Sequence, residues 1–420
     1  MWKWITVVSL SLTAAFGFRA LIPPLDEPAP IRIPTVDPDE TTRLIAVFES
    51  RLIDRSDYPD VLALGGLYLD RAGLSGSPAD HARASELLER AVQMAPTDPL
   101  ALESSARAEL ALHDFATAAQ RATQAYGLDE TRLDALAIRV DAALALGDTD
   151  TASLVLADLE RRTGTDPSVL LRRSQLSWLT GDTVAALDFA QRARSGATEL
   201  AIDAVTLAVF EAHHARLLVD TGQYRQAIDD LGDTRQPISL LQLGRAQAAL
   251  GDSATALATL EAAAAIRPDP SILGELGLLY AAGGAELEAL AIDDTIRAIG
   301  ALDVAGAFDR PIARYLLDRN IDTERALELA LADDRLDPDG HDLRGWALHR
   351  TGATAGALAE IEQAEATGSE DPVIAFHAGV IRAAAGDSVG AIAALEAALA
   401  RSPGAPFAPH ARETLEALSS

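Results

Sequence analysis

The side chains that could support chemistry are few and scattered along the chain. His213 and His214 form the only adjacent histidine pair. Neighbouring helical positions face directions about 100° apart, so the two imidazoles cannot easily bind one metal ion. Segment 337–340 faintly resembles a calcium loop, but it lacks the third acidic ligand and the later glutamate. We interpret the pair as exposed or groove-lining and the segment as a connector between helices.

Motifs typical of catalytic sites are missing as well. The chain has no Gly-x-x-x-x-Gly-Lys, His-Glu-x-x-His or Gly-x-Ser-x-Gly segment. It also has no cysteine, which excludes disulfides, thiol chemistry and a lipid-modified cysteine. The residues of a catalytic site need not be close in sequence, but none of these patterns indicates one. The sequence therefore predicts a protein that is not an enzyme, with no cofactor and no metal ion.

A period of 34 residues organises most of the chain. Gly147 and Gly181 are 34 residues apart, and so are Gly352 and Gly386. The two pairs are 171 residues apart, one more than five periods. Each unit has a small residue before the turn, alanines and large apolar residues after it, and often proline at its end. This is the signature of the tetratricopeptide repeat, a helix–turn–helix. We count about ten repeats, from about residue 58 to about residue 403. In the first repeat, Gly66 is the expected small residue, and a long loop is expected at 71–80.

Several predicted turns consist of glycine followed by aspartate, as in Gly147–Asp148. Glycine accepts the left-handed conformation that ends a helix, and aspartate caps the helix that follows. His113–Asp114 occupies the same place one period earlier, and segment 318–321 occupies another such place without glycine. Uneven spacing of the glycines at 181, 222 and 251 predicts an insertion and a compensating shortening in the middle of the array.

The repeat resembles that of exported bacterial tetratricopeptide-repeat proteins, a largely uncharacterised family. Three further stretches carry the resemblance: Leu-His-Asp-Phe at 112–115, Trp-Ala-Leu-His-Arg-Thr-Gly at 346–352, and Phe-His-Ala-Gly-Val-Ile at 376–381. The resemblance implies an all-α, right-handed solenoid of about ten helix–turn–helix repeats with capping helices at both ends. It also implies a scaffold that holds other proteins. With one lysine and one asparagine, the chain cannot build the Lys/Asn clamp or the asparagine ladder of other members.

The regions before and after the array have distinct compositions. Residues 1–22 carry Lys3 and an apolar run at 5–18, which predicts either a cleaved signal peptide or a single-pass anchor. Residues 23–38 hold six prolines and are expected to form an extended linker. We assign 39–57 to an N-terminal capping helix, 58–403 to the array and 404–420 to a C-terminal capping helix. Export, or anchoring with the array outside the cytoplasm, is the expected location.

The net charge of −28 restricts the partners of this chain. A nucleic-acid partner is disfavoured, because phosphates must be met by lysine or arginine. All basic residues except Lys3 are arginine. A GC-rich genome and adaptation to high salt both explain this composition, and the sequence does not decide between them.

Arginines recur at one place in the first helix of the repeats. Arg107, Arg216 and Arg245 are equivalent, and Arg172 lies nearby. The resemblance places this position on the concave side, where arginine could bind carboxylates of a partner; alternatively, the arginines pair with acids of adjacent repeats. Trp178 and Trp346 could likewise anchor a peptide or pack between repeats.

Together these features predict a non-catalytic scaffold outside the cytoplasm that binds a protein or peptide in its groove. The alternative is a dedicated accessory subunit of a membrane-bound enzyme or export complex.

Overall fold

The computed structural model describes residues 38–54, 57–75, 77–302, 306 and 308–419, and these contain 22 helices and no strand. The helices are α1 (Pro38–Asp54), α2 (Tyr58–Ser75), α3 (Pro78–Met94), α4 (Pro99–Leu112), α5 (Phe115–Leu128), α6 (Leu133–Ala145), α7 (Thr149–Thr163), α8 (Pro167–Leu179), α9 (Thr183–Glu199), α10 (Ala204–Asp220) and α11 (Tyr224–Leu231). They continue with α12 (Pro237–Ala249), α13 (Ser253–Ile266), α14 (Pro270–Ala282), α15 (Glu286–Leu302), α16 (Asp309–Arg319), α17 (Thr323–Ala332), α18 (Pro338–Arg350), α19 (Thr354–Ala366), α20 (Pro372–Ala385), α21 (Ser388–Arg401) and α22 (Ala408–Ser419).

Helices α2 to α7 and α12 to α21 form consecutive pairs, each made of a first and a second helix. The two helices of a pair pack on each other, as α4 does on α5, and the second helix packs on the next first helix, as α5 does on α6. Helix α1 packs on α2, and α22 packs on α20 and α21. The predicted all-α repeat architecture with a helix at each end is confirmed.

Local chemistry explains where many helices begin. Proline occupies the first helical position of several first helices, where its missing N–H has no bond to lose. The preceding aspartate accepts a hydrogen bond from a free backbone N–H two residues later, over 2.8 Å from Leu100 N to Asp98 and 2.9 Å from Ser271 N to Asp269. These caps depend only on neighbouring residues, so they can be read from the sequence.

The turns within pairs follow the predicted pattern. Gly147 has a φ of 71°, and Asp148 accepts a hydrogen bond from Thr151 N over 3.0 Å. His113 takes the glycine's place with a φ of 65°, and Asn320 does so with a φ of 56°. A residue other than glycine pays a steric cost there, which asparagine bears more easily than most residues.

The irregular middle of the array is also confirmed. Helices α9 and α10 are lengthened to 17 residues each, whereas α11 is shortened to eight. The first pair differs from expectation, because the sequence suggested a long loop at 71–80. Helix α2 instead runs to Ser75, and Arg71 donates two hydrogen bonds of 2.8 and 2.7 Å to Asp80. This ion pair joins the end of α2 to the start of α3, so only residues 76 and 77 separate the helices.

The chain divides into two compact units. Unit 1 contains the described residues up to Arg172 together with Gly196–Thr206, and unit 2 contains Arg173–Ser195 and the residues from Leu207 onward. The core of unit 1 combines many alanines with Leu64, Leu88 and Phe115. In unit 2, one large cluster is built around Tyr315, Leu317 and Trp346. Alanine predominates where helices approach closely, and larger side chains fill the spaces between pairs.

The signal or anchor at 1–22 and nearly all of the proline-rich linker lie outside the described residues. None of the helices in the described part is both long enough and apolar enough to cross a membrane.

Candidate interaction surface

The first helices of unit 2 form one continuous surface. Helix α12 packs on α14, α14 on α16, α16 on α18, and α18 on α20. Because these helices lie side by side, residues at equivalent positions come close together although 25 to 35 residues separate them in sequence. We call this surface, formed by one side of α10, α12, α14, α16, α18 and α20, the inner face.

Charged side chains connect the first three helices of the inner face. Arg216 lies 5.4 Å above the ring of Trp178, and its NH1 is 3.2 Å from Asp220 Oδ2. The other oxygen of Asp220 accepts a hydrogen bond from Arg245 NH2 over 3.0 Å. Arg245 Nε in turn lies 3.3 Å from Glu275 Oε1. The arginines and acids therefore alternate from α10 to α14.

A second network covers α16, α18 and α20. Asp342 pairs with Arg314 NH2 and with His377 Nδ1, each at 2.7 Å. The His377 ring stacks on Trp346 with centroids 4.2 Å apart, and Trp346 Nε1 donates a hydrogen bond of 3.2 Å to Asp318 Oδ1. Arg314 and His377 hold the pKa of Asp342 at about 2, against the opposing effect of burial.

Two acids of the inner face, Asp318 and Asp339, make no ion pair within the described residues, although arginines lie near enough to act on both. Asp339 makes no hydrogen bond or ion pair within the described part of the chain; burial and Asp337 raise its pKa. The pKa of Asp318 is also raised, first by desolvation. Its side chain is exposed, and Arg314, His377 and the hydrogen bond from Trp346 act in the opposite direction on its pKa. The inner face therefore has surplus negative charge.

The two candidate arginines of unit 1 are paired internally. Arg172 in α8 donates through Nε and NH2 to both oxygens of Asp141, each over 2.8 Å, and through NH1 to the Ser168 carbonyl over 3.1 Å. Arg107 NH2 lies 3.6 Å from Asp70 Oδ1. Both pairs connect first helices of neighbouring repeats.

The six candidate groove residues thus fall into two groups. Unit 1 holds Arg107 and Arg172; unit 2 holds the remaining four, and within it Trp178, Arg216 and Arg245 belong to one continuous network. Each of the four arginines contacts an aspartate or glutamate, which is the geometry of the alternative interpretation. Trp178 and Trp346 are only 4% and 3% exposed. Recognition of a partner by these residues stays a prediction.

The structure also brings together a serine and a histidine that sequence reasoning missed. Ser174 Oγ lies 2.8 Å from His213 Nε2 and 2.7 Å from the Ala186 carbonyl oxygen. Serine next to histidine is the geometry of an activated nucleophile. Both side chains are buried, however, and burial lowers the pKa of His213. A substrate could not reach the hydroxyl, so the pair connects α8 to α10. No local motif signals it, because the residues are 39 positions apart.

His214 has a different environment from His213. Its Nδ1 lies 3.3 Å from Asp230 Oδ2. Burial, and then Arg194, lower its pKa to about 4, although Asp230 acts in the opposite direction. The two rings therefore have separate partners, as expected for neighbouring helical positions. Both are buried, at 4% and 2% exposure, so the interpretation of the pair as exposed or groove-lining is wrong. Within the described ranges, no group of three or more His, Cys, Asp or Glu side chains could hold a metal ion.

Segment 337–340 is a helix start. Asp337 accepts a hydrogen bond from Gly340 N over 2.8 Å and so caps α18. Its oxygens also receive two hydrogen bonds from Arg310, of 3.0 and 2.7 Å. The connector interpretation is therefore the one that the geometry supports.

Comparison with known proteins adds little beyond fold. No protein-family model matches the chain, and no curated protein matches it. Among solved structures, the chain is similar to the APC/C Cut9–Hcn1 hetero-tetramer, with 12% identity over 91% of this chain and 94% of that one, and a TM-score of 0.31. It is similar to yeast Tom70, with 13% identity over 91% and 96% and a TM-score of 0.34. A tetratricopeptide repeat protein from Parabacteroides merdae has 18% identity over 61% and 100% and a TM-score of 0.35. At such low identities and TM-scores, only the general fold class is shared.

Proposed function

We propose that the protein is a non-catalytic scaffold that binds a segment of a protein partner along the inner face of unit 2. The observation that carries this proposal is the continuous row of charged side chains across six first helices. Arginines paired with acids extend from α10 to α14, and beside them lie Asp318 and Asp339, which make no ion pair within the described residues. A solenoid offers such an extended surface because each repeat contributes the same helix to it.

The charge of the inner face favours a basic partner segment. Lysine or arginine of the partner would give Asp318 and Asp339 a close countercharge. Burial is the main cause that raises the pKa of both acids, and the nearby arginines offset it only in part. Arg216 and Arg245 already contact acids of this chain, so an acidic segment would have to displace those contacts. The net charge of −28 also disfavours nucleic acids, because their phosphates carry the same sign of charge.

A peptide series of stepwise charge tests the proposal. We expect the full chain to bind basic peptides, and binding to weaken with salt because exposed charges are screened over about 8 Å at physiological ionic strength. The variant Asp318→Asn/Asp339→Asn should lose most of this binding. The matched control Asp229→Asn/Glu288→Gln removes two exposed charges from second helices of unit 2 and should retain it.

Two other outcomes would contradict this proposal, one in favour of recognition by arginine and one against any site on the inner face. Acidic peptides that bind the protein, but not the variant Arg216→Gln/Arg245→Gln, would favour recognition by arginine. Equal loss of binding in Asp318→Asn/Asp339→Asn and in the control would show that only the overall charge matters, and the proposed surface would then be wrong.

We further propose that the scaffold acts outside the cytoplasm, either free after removal of a signal peptide or held by residues 1–22. Lys3, the apolar run at 5–18 and the prolines behind it support this proposal. A reporter that is active only after export, fused at Glu40, should be active. Reporter activity only in a cytoplasmic format would overturn the location.

A further inference from the structure

The early and late turns of unit 2 touch each other. Thr183 Oγ1 donates a hydrogen bond of 2.8 Å to Glu370 Oε2, although 187 residues separate them. Tyr224 OH lies 2.9 Å from Ser402 Oγ and accepts a hydrogen bond of 3.0 Å from Gly404 N. Regular contacts in the array join neighbouring repeats, so these contacts close unit 2 across more than five periods.

Glycines allow the two sides of this contact to approach so closely that no side chain would fit at these positions. A Cβ atom on Gly181 would lie 2.0 Å from the Gly368 carbonyl oxygen, and one on Gly404 would lie 2.3 Å from the Ala249 carbonyl oxygen. A Cβ atom on Gly222 would lie 2.7 Å from the Arg401 carbonyl oxygen. Backbone therefore meets backbone at three places. We call the whole contact the clasp; its early side comprises Gly181, Thr183, Gly222, Tyr224 and Ala249, and its late side comprises Gly368, Glu370 and residues 401–404.

We propose that the clasp opens reversibly and that its opening admits a partner segment to the inner face. The second half of this statement rests on the function proposed above; the first half does not. The contact consists of a few hydrogen bonds and close backbone approaches, and such bonds contribute little net stability because water replaces them when they break. Neither side of the clasp needs to unfold for it to open, since each consists of turns and helix ends of its own repeats.

Closure also gathers like charges, which opposes it. Asp371 follows the late side of the clasp and is buried. The charged groups acting on it are Asp220 and Arg216 from α10, Arg245 from α12, and Asp339 from α18. Burial first, and then the charges of Asp220 and Asp339, raise the pKa of Asp371 to about 7. The two arginines compensate only in part. Favourable and unfavourable contributions to closure are thus present at the same place.

The pH dependence of closure follows from this balance. Opening would move Asp371 away from Asp220 on α10 and relieve part of its burial, so its pKa would fall from about 7 towards its ordinary value, while Asp339 on the neighbouring α18 would stay close. Between that lower pKa and about pH 7 the closed form holds a proton that the open form has released, so closure becomes less favourable as the pH rises. Each pH unit in this window changes the ratio of open to closed molecules by up to about tenfold. Above about pH 7 both forms are ionised, and the ratio becomes constant.

Distances between two labels measure the clasp without any partner. The chain has no native cysteine, so Val184→Cys/Ala366→Cys in the full chain accepts exactly two nitroxide labels. Both positions are exposed and flank Thr183 and Gly368. Pulsed electron paramagnetic resonance at pH 5.5 should give one short distance. At pH 8 a second, longer distance should appear or grow, and Asp371→Asn should remove this pH dependence while keeping a side chain able to cap α20.

Alanine variants of two glycines distinguish an effect on the clasp from the effect of backbone strain alone. Gly181→Ala and Gly251→Ala both place alanine at a positive φ, 78° and 85°, but only the Cβ atom at 181 meets another residue. We expect the long distance to dominate in Gly181→Ala and the distances in Gly251→Ala to equal those of the parent. Thr183→Val is the milder variant and should increase the open fraction about two- to tenfold through loss of one hydrogen bond.

Two results would overturn the proposal. The first is a single short distance at every pH in the parent, in Thr183→Val and in a folded Gly181→Ala. The second is an equal change in Gly181→Ala and Gly251→Ala. If the clasp opens but basic peptides bind equally well to the parent and to Gly181→Ala, the clasp exists and its link to the proposed function fails.

Discussion

Arg172 and Asp141 form a two-point ion pair between α8 and α6, with both N···O distances at 2.8 Å and both side chains 1% exposed. An arginine that the sequence offered as a groove residue therefore lies in the interior of unit 1. The planar guanidinium of Arg172 matches the geometry of the carboxylate, and the Ser168 carbonyl oxygen accepts a further hydrogen bond from Arg172 NH1. The pair joins two neighbouring repeats through charge that water cannot reach.

Removing one member of this pair should destabilise unit 1 strongly. Arg172→Met leaves Asp141 buried without its countercharge, and we expect a loss of about 3–5 kcal/mol in the free energy of unfolding. Urea denaturation followed by circular dichroism measures it. The double variant Arg172→Met/Asp141→Leu should recover most of the loss, because apolar residues of similar size can replace a buried pair. A single variant as stable as the parent would show that the pair is accessible to water.

Two glycines in first helices should respond to alanine with opposite signs. A Cβ atom on Gly379 would lie 2.5 Å from Leu395 Cγ, whereas one on Gly66 would meet nothing within 4 Å. Gly379→Ala should therefore cost about 1–3 kcal/mol through overpacking. Gly66→Ala should stabilise α2 by about 0.5–1 kcal/mol, because alanine has the higher helix propensity. Thermal melting of the two variants checks both signs, and a destabilising Gly66→Ala would contradict the open space beside α2.

His214 should make unit 2 sensitive to mild acid. Its pKa is about 4 in the folded chain and 6.5 as a free side chain, so the unfolded chain binds the proton more tightly. The contribution of His214 is complete above about pH 6.5 and declines as the pH falls towards 4. At pH 5 the free energy of unfolding is lower by about 2 kcal/mol because of this residue. The difference in unfolding free energy between the parent and His214→Gln should change by this amount between pH 7.5 and pH 5, and a constant difference would disprove the neutral, buried state.

The C-terminal helix should be required to keep the array from associating. Phe407, just before α22, stacks on Phe376 with centroids 4.9 Å apart, and Ala411 packs in the same cluster. Deletion of 406–420 would expose Phe376 and Leu395 while leaving the clasp residues in place. We expect concentration-dependent self-association in sedimentation velocity, since terminal repeats need a polar outer side. Phe407→Ala should lower the free energy of unfolding by about 1–3 kcal/mol without causing association, because Phe407 is only partly buried. A deletion variant that stays monomeric and melts like the parent would contradict the capping role.

The amino-acid sequence by itself determined the helix pairs, because the signals for them act over a few residues. Proline and aspartate begin the helices, glycine or a substitute such as His113 ends them, and the 34-residue period repeats both. Even the irregular middle was visible as uneven glycine spacing. The small residue of the first pair was misplaced by one position: Gly65, not Gly66, approaches Leu88, since its Cβ atom would lie 2.7 Å from Leu88 Cγ. Which of two adjacent glycines faces the neighbouring helix depends on how the helices pack.

Only the tertiary structure decided the partners of the charged side chains and the closure of unit 2. The sequence left open whether Arg245 binds a partner or its own chain. In the structure it pairs with Asp220 and Glu275, which lie 25 and 30 residues away on neighbouring first helices. The contact between Thr183 and Glu370 spans 187 residues and repeats no pattern of the array. The reason is physical. A repeat specifies the small rotation between neighbours through local packing, whereas contacts between distant repeats depend on the sum of many such rotations.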